Sequence, residues 1–363
     1  MINWVVVYRM QNACRNVLRR DVSLDIIRIT ALFCVISVHF FKDNEFYDQI
    51  VIGERMYAAT IMRTAFMVCV PLFIVLTGYL MNQKKISKHY YLKLVKVIET
   101  YILASVICYF FKINSLGYLY TIKELILGIL DFSMANYSWY IEMYIGLYLI
   151  IPFLNILYNN LNSKKEKGAL LVTLLILTSF PGIVNINRTI FPDWWVSLYP
   201  ITYYFIGCYI YEFFDRKMEK KYIVLYIFSV LLIGTLNYYL SYGSVFIKGT
   251  WQTWGAMPNV IMTVLLFKIL LSVKYDNWSE KVKKYIRAIS NWCLGAYLLS
   301  YIFDATFYPI LNLNVPNMVL RLEYYIIIVP VIFICSLLLA GLVNYIQLKF
   351  HNLLLVLIKS RFV

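Results

Sequence analysis

The sequence predicts an all-α, polytopic integral membrane protein of about ten transmembrane helices, with both termini cytoplasmic. Three observations predict it. The first is composition: 61% of the 363 residues are hydrophobic and 15% are charged, where soluble domains average about 45–50% apolar and about 25% charged. Mean hydropathy is +0.69. The second is a series of apolar segments long enough to cross a hydrocarbon core, which takes about 20 helical residues. The third is the placement of lysine and arginine, which alternates from loop to loop along the whole chain. The formal net charge of +15 would suggest nucleic acid in a soluble protein. Here it gathers on one membrane face, so membrane lipids are expected as partners and nucleic acid is not.

Residues 1–20 hold a short apolar run followed, not preceded, by basic residues, unlike a signal peptide. They read as a basic cytoplasmic tail. A ten-span membrane domain over 21–348 follows, with spans near 24–41, 60–81, 90–111, 138–158, 168–184, 196–214, 222–241, 255–273, 291–311 and 324–347. Residues 349–363 form a short cytoplasmic tail. The N-terminal tail carries Arg9, Arg15, Arg19 and Arg20, and every second loop after it is rich in lysine, as in Lys84, Lys85 and Lys88 or Lys281, Lys283 and Lys284. The alternate loops are poor in basic residues: Lys42 and Arg55 stand against four acids, and Lys112, Lys123, Arg188, Lys248 and Arg321 are scattered. By the positive-inside rule the rich loops are cytoplasmic. Within the longest outer segment, 118-YLYTIKELILGILDF-132 is too short for a span and amphipathic, and predicts an interfacial helix. Seven cysteines stand singly, with no disulfide framework or zinc-like spacing.

The first span, 24-LDIIRITALFCVISVHFF-41, carries Asp25, Arg28 and His39. A charge near the bilayer centre costs about 2.5–3.5 kcal/mol on insertion scales. Eleven residues of α-helix make three turns plus roughly 20°, so Arg28 and His39 share one face about 16 Å apart along the axis. Asp25 precedes Arg28 by three residues and joins that face. Arg28 alone also has a reading as a snorkelling anchor, and His39 alone as an interfacial histidine bonded to a neighbouring helix. On one face together they suit chemistry: a neutral imidazole takes a proton from a hydroxyl, and a guanidinium pairs with a phosphate or a developing oxyanion.

An arginine, ten residues and a histidine after Leu-Asp resemble the first span of the membrane-bound acyltransferase-3 family, bacterial integral-membrane O-acyltransferases that decorate cell-envelope glycans. Further stretches are similar in order: 70-VPLFIVLTGYLM-81 with Thr77 for the family's serine, 90-YYLKLVKVIETY-101 with Lys93 and Lys96 where the family favours arginines, 138-SWYIEMYIGLYLIIPFL-154, 203-YYFIGCYI-210 and 294-LGAYLLSYIF-303, with Ser300 where many members have a histidine. The resemblance spans about 20–345 and is to the stand-alone members, without a fused esterase-like domain. It implies acyl transfer, usually of acetyl from acetyl-CoA as a donor substrate, onto a glycan hydroxyl or a lipid-linked precursor in the bacterial cell membrane. No permanently bound cofactor is implied. It puts Arg28 and His39 forward as catalytic, Arg28 also as a donor contact.

Other residues keep two readings each. Trp139, Tyr140 and Glu142 near the outer end of span four are a structural cluster, or they bind the acceptor, with Glu142 polarising His39. Lys93 and Lys96 are positive-inside anchors, or they hold the phosphates of CoA. Asp304, one turn after Ser300, pairs with a cation or with a sugar hydroxyl. Arg63, Glu99, Glu212 and Lys268 read as interfacial. The sequence holds no metal-ligand cluster, phosphate loop or nucleophile elbow. A transporter or flippase of a glycan or small acid also needs interior charges; its mark is unwound, Gly/Pro-interrupted spans, of which Pro71 with Gly78 is a faint version.

Overall fold

The computed structural model describes residues 20–360 except 186–187, 248–250 and 252, with side chains to Leu348. Residues 1–19 of the expected tail, with Cys14, lie outside the described residues. The described chain is helical, with two isolated bridges that tie Ile50 and Val51 to Val245 and Tyr242.

The first helix, α1 (Val22–Asp43), starts where Asp21 caps it by accepting the Ser23 amide at 2.9 Å, and stops where Asn44 turns back onto the Phe40 carbonyl. It is flanked by α2 (Gly53–Phe66), α3 (Cys69–Met81), α11 (Met257–Ser272), α12 (Glu280–Asn314) and α14 (Tyr325–Ser360). Its buried side chains, such as Ile27, Leu32, Ile36 and Phe40, form the middle of the core. The remaining elements are α4 (Lys88–Leu116), α5 (Ile122–Leu130), α6 (Trp139–Asn159), α7 (Lys164–Thr178), α8 (Pro181–Val184), α9 (Tyr199–Phe213), α10 (Lys220–Ser241) and α13 (Met318–Arg321). Of the span at α7–α8, 22% is buried and of α10, 28%, against 56% of α1 and 67% of α2–α3. These outer helices turn Val172, Ile176, Leu225 and Phe228 outward, as helices facing lipid must.

Among the described residues, eight helical segments are long and apolar enough to cross a membrane. Those at the sixth and eighth expected spans, α9 and α11, are shorter, at 15 and 16 residues. The second expected span begins earlier, at Gly53, and breaks at Met67–Val68 between α2 and α3. Pro71 explains the break: it lacks the amide that would bond Met67, and its ring clashes with that carbonyl. The amphipathic α5 forms as the sequence predicts, closed by a reciprocal Thr121–Glu124 capping box. The last helix continues to Ser360, with no break at 348, because no proline or glycine interrupts the stretch.

Lipid tails are as apolar as leucine, so close packing and hydrogen bonds hold membrane helices together. α3 and α9 cross in close contact. A Cβ on Gly78 would lie 1.9 Å from the Tyr204 carbonyl oxygen, and one on Gly207 2.2 Å from that of Val75. Two groups expected at interfaces are buried instead. Arg63 is 4% exposed because the second span starts three turns before it; its Nε donates to Tyr47 Oη at 3.1 Å and its guanidinium lies over Phe246. Lys268 is 2% exposed and its Nζ pairs with Asp215 at 2.7 Å. Charges inside a bundle pair inward in this way. The hydrogen bond and charge of Lys268 hold the Asp215 carboxyl below the usual carboxylate range.

Candidate active site

α1 and α12 run in the same direction, side by side. Together they build two polar layers, one around Arg28 and one around His39.

At the Arg28 layer, Asp25 is 1% exposed and lies between two arginines. Arg20 Nε donates to both its oxygens at 3.0 Å, and Arg28 Nη1 lies 3.4 Å from Oδ1. Arg28 Nη1 also donates to Ser290 Oγ at 2.6 Å, and Arg20 reaches Ser290 Oγ at 3.2 Å and Asn291 Oδ1 at 2.8 Å. Among the described residues, Arg28 Nε and Nη2 make no hydrogen bond, and 27% of the side chain remains accessible. Arg28 is therefore a guanidinium anchored by Asp25 and Ser290 with donors to spare.

Arg28 stands where two cavities meet. One, of about 530 Å³, includes Arg20, Asp25, Ser290 and Asn291. The other, of about 400 Å³, runs inward between Phe73, Thr77, Tyr140, Tyr144 and Tyr297, reaching Val35. Its walls are mostly apolar. Val35 lies one helical turn before His39, so the cavity ends just short of the imidazole.

At the His39 layer, Nδ1 of the imidazole lies 3.1 Å from Asp304 Oδ2. Asp304 is 2% exposed and His39 12%. Tyr137, from the loop before α6, donates to the same Oδ2 at 2.8 Å and lies 3.3 Å from Asp43 Oδ2. Its ring lies against the imidazole, centroids 3.8 Å apart at 31°. Burial first, then the charges of Asp304 and Asp43, push the Tyr137 phenol well above its ordinary range, so it remains a donor. A carboxylate only accepts, so where this contact is a hydrogen bond to ionised Asp304 the hydrogen is on Nδ1, and Nε2, which bonds to none of the described residues, is the nitrogen open to a substrate.

Tyr137 is held from three sides. Tyr297 donates to its carbonyl, Ser138 Oγ donates to Phe132 and Ala135 carbonyls, and the buried Lys112 Nζ donates to the Met134 carbonyl at 2.8 Å. A cavity of about 230 Å³ opens beyond the layer, lined by Asp43, Asn136, Tyr137, Asp304, Tyr308 and Asn312 among others. On successive turns of α12, Asp304 Oδ1, Tyr308 Oη and Asn312 Oδ1 are buried with no partner among the described residues. Each such atom carries a desolvation cost of about 1–3 kcal/mol. They suit a ligand rich in hydroxyl groups.

The other residues singled out from the sequence divide. Tyr140 lines the inner cavity. Lys93 lines it too, and with Lys96 borders a side cavity of about 160 Å³. Trp139 stacks on Trp254 with centroids 4.5 Å apart, outside the layers. Glu142 is exposed in the first turn of α6; Asp304, not Glu142, meets His39. Ser300 is fully buried and donates back to the Tyr297 carbonyl at 2.9 Å, lining none of these cavities. The sequence reading missed Tyr137, Asp43, Ser290, Asn291 and the role of Arg20. Asp43 had a signal, being one turn after His39 on the same face; Tyr137 had none.

Comparison with known proteins adds one match. A family model for the acyltransferase-3 domain, described as an acyltransferase domain, covers residues 21–341. No curated protein and no solved structure matches the chain. The match covers the His39 layer and, apart from Arg20, the Arg28 layer, and the chain belongs to the acyltransferase-3 family of membrane acyltransferases.

Proposed function

We propose that the protein transfers an acetyl group from cytoplasmic acetyl-CoA to a hydroxyl of a cell-envelope glycan, or of its lipid-linked precursor, in the bacterial plasma membrane. The observation that carries the reading is the position of His39: its Nδ1 is bound by Asp304, and it stands between an apolar cavity that starts at Arg28 and a polar cavity that starts at Asp304. In this reading the basic loops and both termini are cytoplasmic and the ten-span order holds, so the Arg28 end faces the cytoplasm and the polar cavity faces outward.

The donor's thioester arm enters past Arg28. The spare Arg28 donors, Nε and Nη2, bind its polar groups or hold the thioester oxygen, and the arm extends along the apolar cavity toward Val35. That answers the gap of about 16 Å between Arg28 and His39: the donor spans it. The acceptor glycan enters from the other side: its neighbouring hydroxyls donate to the free oxygens of Asp304 and Asn312, and the reacting hydroxyl donates to His39 Nε2. His39 Nε2 takes its proton as the oxygen attacks the carbonyl carbon. The C–O bond forms, the C–S bond breaks, and the imidazolium returns the proton to the departing thiolate. Asp304 stabilises the imidazolium in between, as paired carboxylates do for catalytic histidines. The break in the second span resembles a transporter's feature, but Pro71 accounts for it and neither α2 nor α3 is unwound beyond those two residues.

The test uses membranes supplied with labelled acetyl-CoA and a panel of envelope glycans. His39→Ala should lower transfer by at least about 10²-fold, the range of a general base. Arg28→Lys should raise the donor KM, since lysine cannot reproduce the planar fork. A wild-type protein that acetylates no glycan and releases no free CoA sinks the reading. So does a His39→Ala variant with full activity.

A further inference from the structure

We infer that a basic cleft next to the Arg28 cavity binds the nucleotide phosphates of the acyl donor. This rests on the donor reading above. The cleft, of about 390 Å³, lies where Asp21, the α11–α12 loop and the start of α12 meet. Arg20, Arg216, Lys274, Lys283 and Arg287 line it, against two acids, Asp21 and Asp276.

The cations divide by partner. Arg216 is tied to Asp21 and to Tyr79 Oη at 2.8 Å. Lys283 Nζ donates to the Asp276 carbonyl at 3.0 Å and to Glu280 at 3.2 Å. Arg20 holds Asp25. Lys274 and Arg287 make no ion pair among the described residues, and Arg287 Nε is buried without a hydrogen-bond partner. A buried guanidinium N–H left unpaired is costly, and what it suits is an anion. A phosphomonoester, at about −1.5 to −2 charge near neutral pH, matches such a set of donors.

The cleft is also in the right place. It shares Arg20 and Asp21 with the cavity at Arg28, which in turn shares Arg28, Leu80 and Leu294 with the apolar one. The three in sequence change from basic, through mixed polar, to apolar. An acyl-CoA changes in the same order, from phosphorylated nucleotide through amide-bearing arm to acyl group. Lys93 and Lys96, the sequence's candidates for the phosphates, border the apolar and side cavities instead.

The experiment uses the full chain in nanodiscs of phosphatidylcholine. Adenosine 3′,5′-bisphosphate is titrated against wild type, the double variant Lys274→Ala/Arg287→Ala and the milder Lys274→Gln at an exposed position. The bisphosphate should bind wild type, and the double variant should bind it at least about tenfold more weakly, the scale of one lost hydrogen bond to a charge. Wild type should also prefer acetyl-CoA to S-acetylpantetheine in kcat/KM, and the double variant should lose most of that preference. Equal binding by wild type and both variants overturns the inference. Retention of phosphatidylglycerol that the bisphosphate does not displace also overturns it, since the cations then hold a lipid headgroup. An enzyme that uses acetyl-CoA and S-acetylpantetheine equally well overturns the cleft assignment and spares the donor reading. An enzyme that uses neither overturns both.

Discussion

In the proposed reaction the carboxylate of Asp304 decides which nitrogen of His39 is free to act. Its Oδ2 takes both the His39 Nδ1 contact at 3.1 Å and the Tyr137 hydroxyl at 2.8 Å. Asp304→Asn leaves the shape nearly intact but puts an amide, with donors of its own, against Nδ1. The imidazole then loses its fixed tautomer and the partner that stabilises its charged form. Transfer should fall on the order of 10²-fold with the donor KM little changed, measured as initial rates across a range of acetyl-CoA concentrations. An Asn variant with wild-type rates means that His39 does not act through Asp304. Tyr137→Phe removes one of two hydrogen bonds to the same oxygen and should cost less than Asp304→Asn in the same assay. At this scale the sequence was a partial guide. Helical arithmetic put Arg28, His39 and Asp25 on one face, and Asp25 is indeed the carboxylate that Arg28 meets. Asp304 was visible only as an interior acid. Its partner lies 265 positions away on another helix, and one sequence carries no record of such a pairing. Ser300 shows the converse: a position marked by resemblance whose side chain turns back onto its own helix.

At the scale of the element, the α3–α9 crossing depends on two glycines. A methyl on either one meets backbone oxygen, at 1.9 Å for Gly78 and 2.2 Å for Gly207, and backbone cannot move aside as a side-chain tip can. Gly207→Ala must therefore push the helices apart, at a cost of about 1–3 kcal/mol or more. Thermal unfolding of the detergent-purified variant should show a clearly lowered midpoint, and Gly78→Ala likewise. A control at Gly168, which has open space around it, should shift far less. An unchanged midpoint for both crossing variants means that the helices do not approach this closely. The spans themselves were legible because apolar length is a local property. The α1 limits differ from those read off the sequence by two residues at each end. The break in the second span was less legible. Pro71 was visible, but whether a proline bends a helix or divides it depends on how neighbours take up the freed carbonyl. The burial of Arg63 and Lys268 was hidden for a related reason: closeness to a span end does not say which face of the helix meets the bundle.

At the scale of the whole molecule, the proposed reaction has the three cavities at the Arg28 end and the polar one beyond His39 reached from opposite sides of the membrane. The basic residues at the Arg28 end come from segments far apart in sequence, Arg20, Lys84, Arg216 and Lys274 outside the helices and Arg287 in the second turn of α12, and these are the segments whose charge alternation read as cytoplasmic. Lys42, Asn136 and Asn312 border the polar cavity at the other end. The layer of His39, Tyr137 and Tyr297 lies between the two. Substituted-cysteine labelling tests the arrangement without knowing either substrate. Cys34, Cys69, Cys108, Cys208 and Cys293 are buried and Cys335 is half-buried, so a Cys14→Ser/Cys335→Ser background should label weakly. Lys42→Cys, exposed at the polar cavity, should react with a membrane-impermeant maleimide in intact cells. Lys274→Cys, exposed at the basic cleft, should react only after the membrane is permeabilised. Labelling of both in intact cells would put donor and acceptor entrances on one side. Transfer across the His39 layer would then have no reason to exist, and the donor would need a route other than the one that begins at Arg28. Labelling of Lys274→Cys alone would reverse the orientation and place the donor cavities on the face where acetyl-CoA is absent. Only the first pattern, Lys42→Cys from outside and Lys274→Cys from within, leaves the charge alternation, the graded cavities and the His39–Asp304 pair serving one reaction.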